Sequence, residues 1–206
     1  MSIREHWDEV YRSKAPDAVS WYRPRLDQSL AWIDACRLAK DADIVDVGGG
    51  ASTLVDDLLA RGFEHVTVAD LSGAALEHAR ARLGEDAARV RWIVGDATTQ
   101  LFADDGVDLW HDRAVFHFLT DTSRRDAYLD ALRRSVRRGG FVILATFGPN
   151  GPERCSGLPV VRYASGELAA ALGSDFELIA QADEVRATPW GSAQSFAYAL
   201  CRHRAA

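Results

Sequence analysis

Three aspartates and a run of glycines are the residues of this chain whose types and spacing could hold a charged ligand. Asp46 precedes the loop Gly48-Gly49-Gly50-Ala51-Ser52-Thr53, Asp70 ends the next β-branched run, and Asp96 follows the third in Val94-Gly95-Asp96-Ala97. Glycines at such a turn let the backbone bend sharply and lie close to a ligand. The loop begins like the dinucleotide fingerprint G-x-G-x-x-G/A at Gly48 and Gly50 but reaches Thr53 at its sixth position. Three carboxylates around one cleft would repel a pyrophosphate; they suit a ligand carrying an ammonium, a sulfonium and ribose hydroxyls. Asp70 stands about 20 residues beyond the glycines, the distance at which a strand-end acid reaches both hydroxyls of a ribose. Singly, each aspartate could equally cap a helix. At successive strand ends they read as one ligand site.

The elements that must position these acids are legible in the periodicity. Asp43–Val47, His65–Ala69, Val90–Val94, Val107–His111 and Phe141–Ala145 read as buried strands. Helical patterns lie between them at about 52–61, 73–83 and 123–136, the first stopped by Gly62. Alternation of this kind predicts a parallel sheet with right-handed crossovers and helices on both faces. The end of the chain differs: after a helix at 166–172, strands at 176–182 and 194–201 follow each other without a clear helix. They predict an antiparallel hairpin at the sheet edge. Ligands of open sheets bind beyond the carboxyl ends of the strands, where the acids stand.

Composition narrows the function. A hydrophobic fraction of 48% and a charged fraction of 26% fit one globular domain with a sizeable core. A net charge of −6 argues against a nucleic-acid partner, and Arg133, Arg134, Arg137 and Arg138 read as a solvated helix face. No apolar stretch resembles a signal peptide or reaches the length of a membrane span. Cys36, Cys155 and Cys201 are odd in number and widely spaced. They predict reduced thiols in a cytoplasm and neither a disulfide framework nor a metal site.

The chain resembles the class I S-adenosylmethionine-dependent methyltransferases across nearly its whole length. Asp46 to Ser52 is similar to their D-x-G-x-G-x-G motif, with serine in place of the last glycine. Val68-Ala69-Asp70-Leu71-Ser72 resembles the ribose motif and Gly95-Asp96-Ala97 the adenine motif. Val107 to Asp112 is similar to the fourth motif, and Arg137-Arg138-Gly139-Gly140 to the turn L-(K/R)-P-G-G, with arginine where proline is usual. The resemblance implies a Rossmann-like α/β fold whose seven-stranded, mostly parallel sheet ends in an antiparallel hairpin. It implies S-adenosyl-L-methionine as cofactor, with Asp46 near its ammonium, Gly48, Gly49, Gly50 and Ser52 at its methionine part, Asp70 and Leu71 at the ribose, and Gly95, Asp96 and Ala97 at the adenine. One domain would span 1–206: an N-terminal lid or helical segment at 1–40, a cofactor core at 41–147, and a substrate loop with the hairpin at 148–206.

The N-terminal pattern His6-Trp7-Asp8-Glu9-Val10-Tyr11 is also similar to that of small lysine methyltransferases of elongation factors and citrate synthase, in which this segment covers the cofactor. Ring faces of Trp21 and Tyr22 could shield a sulfonium, and Tyr11 is a candidate acceptor contact. An aspartate–arginine pair follows the fourth strand: Asp112 is a candidate cofactor contact and Arg113 an acceptor contact, or the two form a structural ion pair. His117 is the candidate general base, weighed against a core histidine. The loop from Gly148 to Pro159, too long for a mere connector, offers Arg154 and Cys155 to the acceptor. These residues favour methylation of an O, N or S atom of a small molecule, with a protein lysine as the alternative acceptor. A non-catalytic module that only binds the cofactor is the third reading.

Overall fold

The computed structural model describes residues 1–188 and 191–205. Seven strands form one sheet: β1 (Asp43–Val47), β2 (His65–Asp70), β3 (Val90–Val94), β4 (Val107–Arg113), β5 (Val136–Phe147), β6 (Phe176–Ala187) and β7 (Ala193–His203). Their spatial order is β3-β2-β1-β4-β5-β7-β6. The first five are parallel, and β7 runs antiparallel to both β5 and β6. The expected sheet and terminal hairpin are both present. The order reverses between β1 and β4, so the carboxyl edge opens a crevice there.

Strand alternation sends side chains to two apolar layers. On one face Ile44, Val66, Val68 and Leu109 meet α2 (Asp27–Ala35), α3 (Leu54–Ala60) and α4 (Gly73–Leu83) through Leu30, Ile33, Leu58 and Leu76. On the other, Val45, Val47, Trp110 and Leu144 meet α5 (Thr122–Ser135) and α6 (Ser165–Leu172) through Tyr128, Leu132 and Leu168. The helix α1 (Ile3–Ser13) begins with a capping box, in which the Ser2 hydroxyl accepts from the Glu5 N–H and the Glu5 carboxylate accepts from the Ser2 N–H. It lies on α4, where Asp8 accepts from the Ser72 hydroxyl at 2.6 Å.

Within the N-terminal segment, Asp27–Ala35 is a helix because Leu26, Leu30 and Ile33 all bury on the sheet. Two elements differ from expectation. The loop after β5 contains a two-stranded hairpin, Arg154–Cys155 against Leu158–Pro159. The terminal strands run longer than their apolar cores, to Ala187 and from Ala193. Of the four clustered arginines, two lie on α5 and two on β5, and each has a partner: Arg133 with Asp130, Arg134 with Asp104, Arg137 with Asp108, and Arg138 with the Arg204 carbonyl.

Candidate active site

A cavity of about 470 Å³ opens at the carboxyl edge of the sheet, roofed by α1, by the segment 16–23 and by the small hairpin. Its size lies in the range of small-ligand sites. Asp46, Gly48, Gly49, Ser52, Asp70, Leu71, Gly95, Asp96 and Ala97 line it, and Tyr11, Trp21, Tyr22, Arg113 and Cys155 also reach it. Gly50 is buried and is not among the lining residues.

The glycine loop is a cradle that side chains would fill. Gly48 and Gly50 have φ of +68° and +42°, in the left-handed region that glycine enters without strain. A Cβ on Gly48 would collide with Val115, and one on Gly49 would lie 2.5 Å from Asp46 Oδ2. At Gly50 it would stand 2.9 Å from Asp70 Oδ2 and 3.2 Å from the Tyr11 hydroxyl. Tyr11 therefore abuts the glycine loop and Asp70, and its hydroxyl accepts from the Trp21 indole N–H at 3.3 Å, while Arg113 donates to the Trp21 carbonyl.

Asp46 is 2% exposed and bonded on one side only. In the sheet it sits beside His111, whose Nδ1 lies 2.7 Å from Asp46 Oδ1 while Nε2 lies 2.9 Å from the Ser29 hydroxyl. A carboxylate fixes the tautomer: Nδ1–H donates to Asp46, and Nε2 accepts from Ser29. Asp46 Oδ2 is buried with no partner among the described residues. Such an orphaned acceptor is costly unless a ligand donor meets it.

The other two acids are tuned in opposite directions. Burial, with Asp46 and Asp8 adding like charge, outweighs the hydrogen bond from the Ser72 N–H and pushes Asp70 up to about 7. Burial would also raise Asp96, but hydrogen bonds from Thr98 and the Arg124 guanidinium at 2.9 Å hold it below the ordinary range.

Three expected site residues lie elsewhere. Asp112 points to the α5 face, fully buried, and accepts from the Tyr128 hydroxyl at 2.5 Å and from the N–H groups of Val115 and Phe116. It pins the turn after β4 and does not reach the cavity, because neighbouring strand residues face opposite ways. His117 is also fully buried, between Phe118 and Phe147, with Nδ1 accepting from the Phe147 N–H at 3.3 Å. Burial and the nearby Arg113 charge pull it down to about 3, so it stays neutral in the core and is not placed as a base. Arg154 is exposed and donates to the Gly157 carbonyl of its own hairpin. Residues not singled out from sequence include Ser29 and His111 beside Asp46, and Arg186, whose position depends on how far β6 extends.

A family profile described as a methyltransferase domain matches residues 44–140. EEF1A lysine methyltransferase 2 of Danio rerio is 25% identical over 160 residues, covering 71% of this chain and 69% of that protein. The ubiquinone/menaquinone biosynthesis C-methyltransferase UbiE of Paracoccus denitrificans is 34% identical over 141 residues, covering 67% of this chain and 50% of that one. A solved SAM-dependent methyltransferase of Anabaena variabilis shares the fold at a TM-score of 0.74 and 16% identity, over 99% of this chain and 96% of that one. The chain belongs to the class I S-adenosylmethionine-dependent methyltransferases. The cofactor is therefore S-adenosylmethionine, and the activity is methyl transfer. Among the described residues no helix is long and apolar enough to cross a membrane.

Proposed function

We propose that this methyltransferase acts on an O, N or S atom of a small molecule enclosed with the cofactor in one roofed cavity. The observation that carries this reading is the enclosure: α1, the 16–23 segment and the 154–159 hairpin all line the cavity over the carboxyl edge, with Trp7 in edge contact with both Trp21 and Phe118. In this reading residues 41–147 hold the cofactor, residues 1–40 form a lid, and 148–206 complete the acceptor end.

The residues present fit the cofactor. Asp46 Oδ2 would take its ammonium, the loop Gly48–Ser52 would admit its methionine part, and Asp70 with Leu71 would hold the ribose. Gly95, Asp96 and Ala97 would meet the adenine, and Trp21 and Tyr22 would cover the sulfonium. When bound, the cofactor supplies a methyl group on a positively charged sulfur, already activated for displacement. The protein's work is then alignment and exclusion of water.

No proton acceptor is assigned to His117. His111 lines the cavity with both nitrogens bonded, burial pushes the Cys155 thiol up to about 12, and burial raises Tyr11 as well. Cys155 and Tyr11 hold their protons, and the acceptor supplies its own nucleophilic lone pair. Three free thiols, at Cys36, Cys155 and Cys201, support a reducing cytoplasm.

The likeness to the lysine methyltransferase favours one second reading, a protein lysine acceptor. Transfer of isotopic methyl from the cofactor to a cell extract, separated into protein and small-molecule fractions, tests the two. Label in the small-molecule fraction supports the proposal; label confined to protein overturns it.

A further inference from the structure

The acceptor end of the cavity carries positive charge that the protein leaves unsatisfied. Arg113, on the cavity wall, donates from Nε to the Tyr198 hydroxyl at 3.2 Å and from Nη1 to the Trp21 carbonyl at 3.1 Å. Its Nη2 is buried with no partner among the described residues. Behind it Arg186, 4% exposed, donates from Nη2 to the Ser20 carbonyl and the Gln194 side chain. Its Nε and Nη1 are likewise buried without partners. Both guanidiniums stand over the Phe196 ring, at 4.6 and 4.5 Å from its centre.

Charge in this corner does not balance. Glu184 accepts from the Tyr198 hydroxyl and stands 3.6 Å from Arg23, so one carboxylate faces Arg23, Arg113 and Arg186. Cys155 lines the same wall but is a neutral thiol and supplies no countercharge. Burial, with Arg113 adding like charge, pulls Arg186 down to about 9, which leaves it protonated at neutral pH. Buried guanidinium donors without acceptors are costly, and an oxyanion is the group whose geometry they match.

We propose that the Arg113–Arg186 corner is an anion subsite, so that the methyl acceptor is a small molecule bearing a carboxylate or phosphate. This deepens the small-molecule reading and rests on it. The oxyanion binds Arg113 Nη2, with Arg186 reinforcing the charge through its place on Phe196. The nucleophilic atom then lies toward the acidic, cofactor end. The same corner repels an ammonium, which counts against a lysine side chain approaching by this wall.

The test fractionates the acceptors before reaction. A metabolite extract of the source cells is passed over an anion exchanger, and retained and flow-through fractions are each offered to the enzyme with isotopically labelled cofactor. Label transfer to the retained fraction is expected; phosphatase treatment of that fraction separates phosphate from carboxylate acceptors. Arg113→Met should lower kcat/KM for the retained acceptor about 10–100-fold, mainly through KM, as loss of a charged hydrogen bond requires. Arg113→Lys should recover part of that loss. Affinity for S-adenosylhomocysteine, which also reports folding, should fall by less than kcat/KM does, since Arg113 meets the cofactor wall only through its bond to the Trp21 carbonyl. Should Arg113→Met fail to bind that product, Arg186→Gln carries the test, with a loss of about 3–10-fold. Transfer only to flow-through molecules, or full activity in the variants, overturns the anion subsite and leaves the small-molecule reading standing. Label confined to protein overturns both.

Discussion

Replacing Asp70 with alanine removes the carboxylate at the end of β2 and isolates its proposed part in holding the ribose. The side chain accepts from the Ser72 N–H at 2.8 Å, with the Leu71 N–H also acting on it, so the cost to folding is about 0.5–1.5 kcal/mol. Removing a carboxylate that Asp46 and Asp8 already repel offsets part of that cost. Hydrogen bonds from ribose hydroxyls to a charged acceptor are worth about 1.5–3 kcal/mol, so cofactor affinity should fall about 10–150-fold. The pH dependence is a second signature. Asp70 titrates near 7 in the free protein, and the carboxylate is the form that accepts from hydroxyls. Affinity is therefore complete above the pKa and is lost as pH falls through it, weakening about tenfold between pH 8 and pH 6. Calorimetric titration of S-adenosylhomocysteine across that range, on wild type and Asp70→Ala, reads both effects. An unchanged dissociation constant in the variant, or an equal pH slope in both proteins, would refute the ribose role.

Two further predictions concern the residues that the fold places away from the cavity. His117→Ala should cost about 2–4 kcal/mol in thermal unfolding, because it opens a void beside Phe147 and strands a backbone N–H. Turnover per folded molecule should stay intact; a stable variant with turnover reduced about 10²–10⁴-fold would restore the base role. Tyr128→Phe removes a hydroxyl that donates to Asp112 and accepts from the Trp110 indole N–H at 2.9 Å. Denaturant titration should show a loss of about 1–3 kcal/mol with cofactor affinity preserved, and a selective loss of affinity would mean that Asp112 serves the ligand.

Asp46, Asp70 and Asp96 were legible as a group because each ends a β-branched run, and such ends converge on one sheet edge whatever the packing detail. The glycine loop alone reads equally as a plain tight turn, and the acids at the neighbouring strand ends are what made it legible as part of a site. Asp112 was misplaced as a cofactor contact, and His117 took the core place weighed against its base role, because motif order does not say which face a strand-end residue takes. His111, Asp112 and Arg113 alternate between the α2 layer, the α5 layer and the cavity, and the turn at Ala114 adopts φ of +77°, which no residue type there announced. Arg186 was invisible for a topological reason. Its facing depends on a register shift between Leu178 and Ala180, and one added residue exchanges the two faces of a strand. Ser29 could not be found because the helix carrying it gains its order from burial on the sheet rather than from its own periodicity.

The central claim is that three carboxylates and an open glycine cradle at the sheet edge select a sulfonium-bearing nucleoside over a dinucleotide. Calorimetry of the wild-type protein with S-adenosylmethionine, its demethylated product and NAD, each titrated separately, tests it most directly. One molecule of S-adenosylmethionine or of its product should bind per chain, and NAD should give no binding heat, because its pyrophosphate would face Asp46 with its unpartnered oxygen. Binding of NAD with no binding of S-adenosylmethionine would contradict the account.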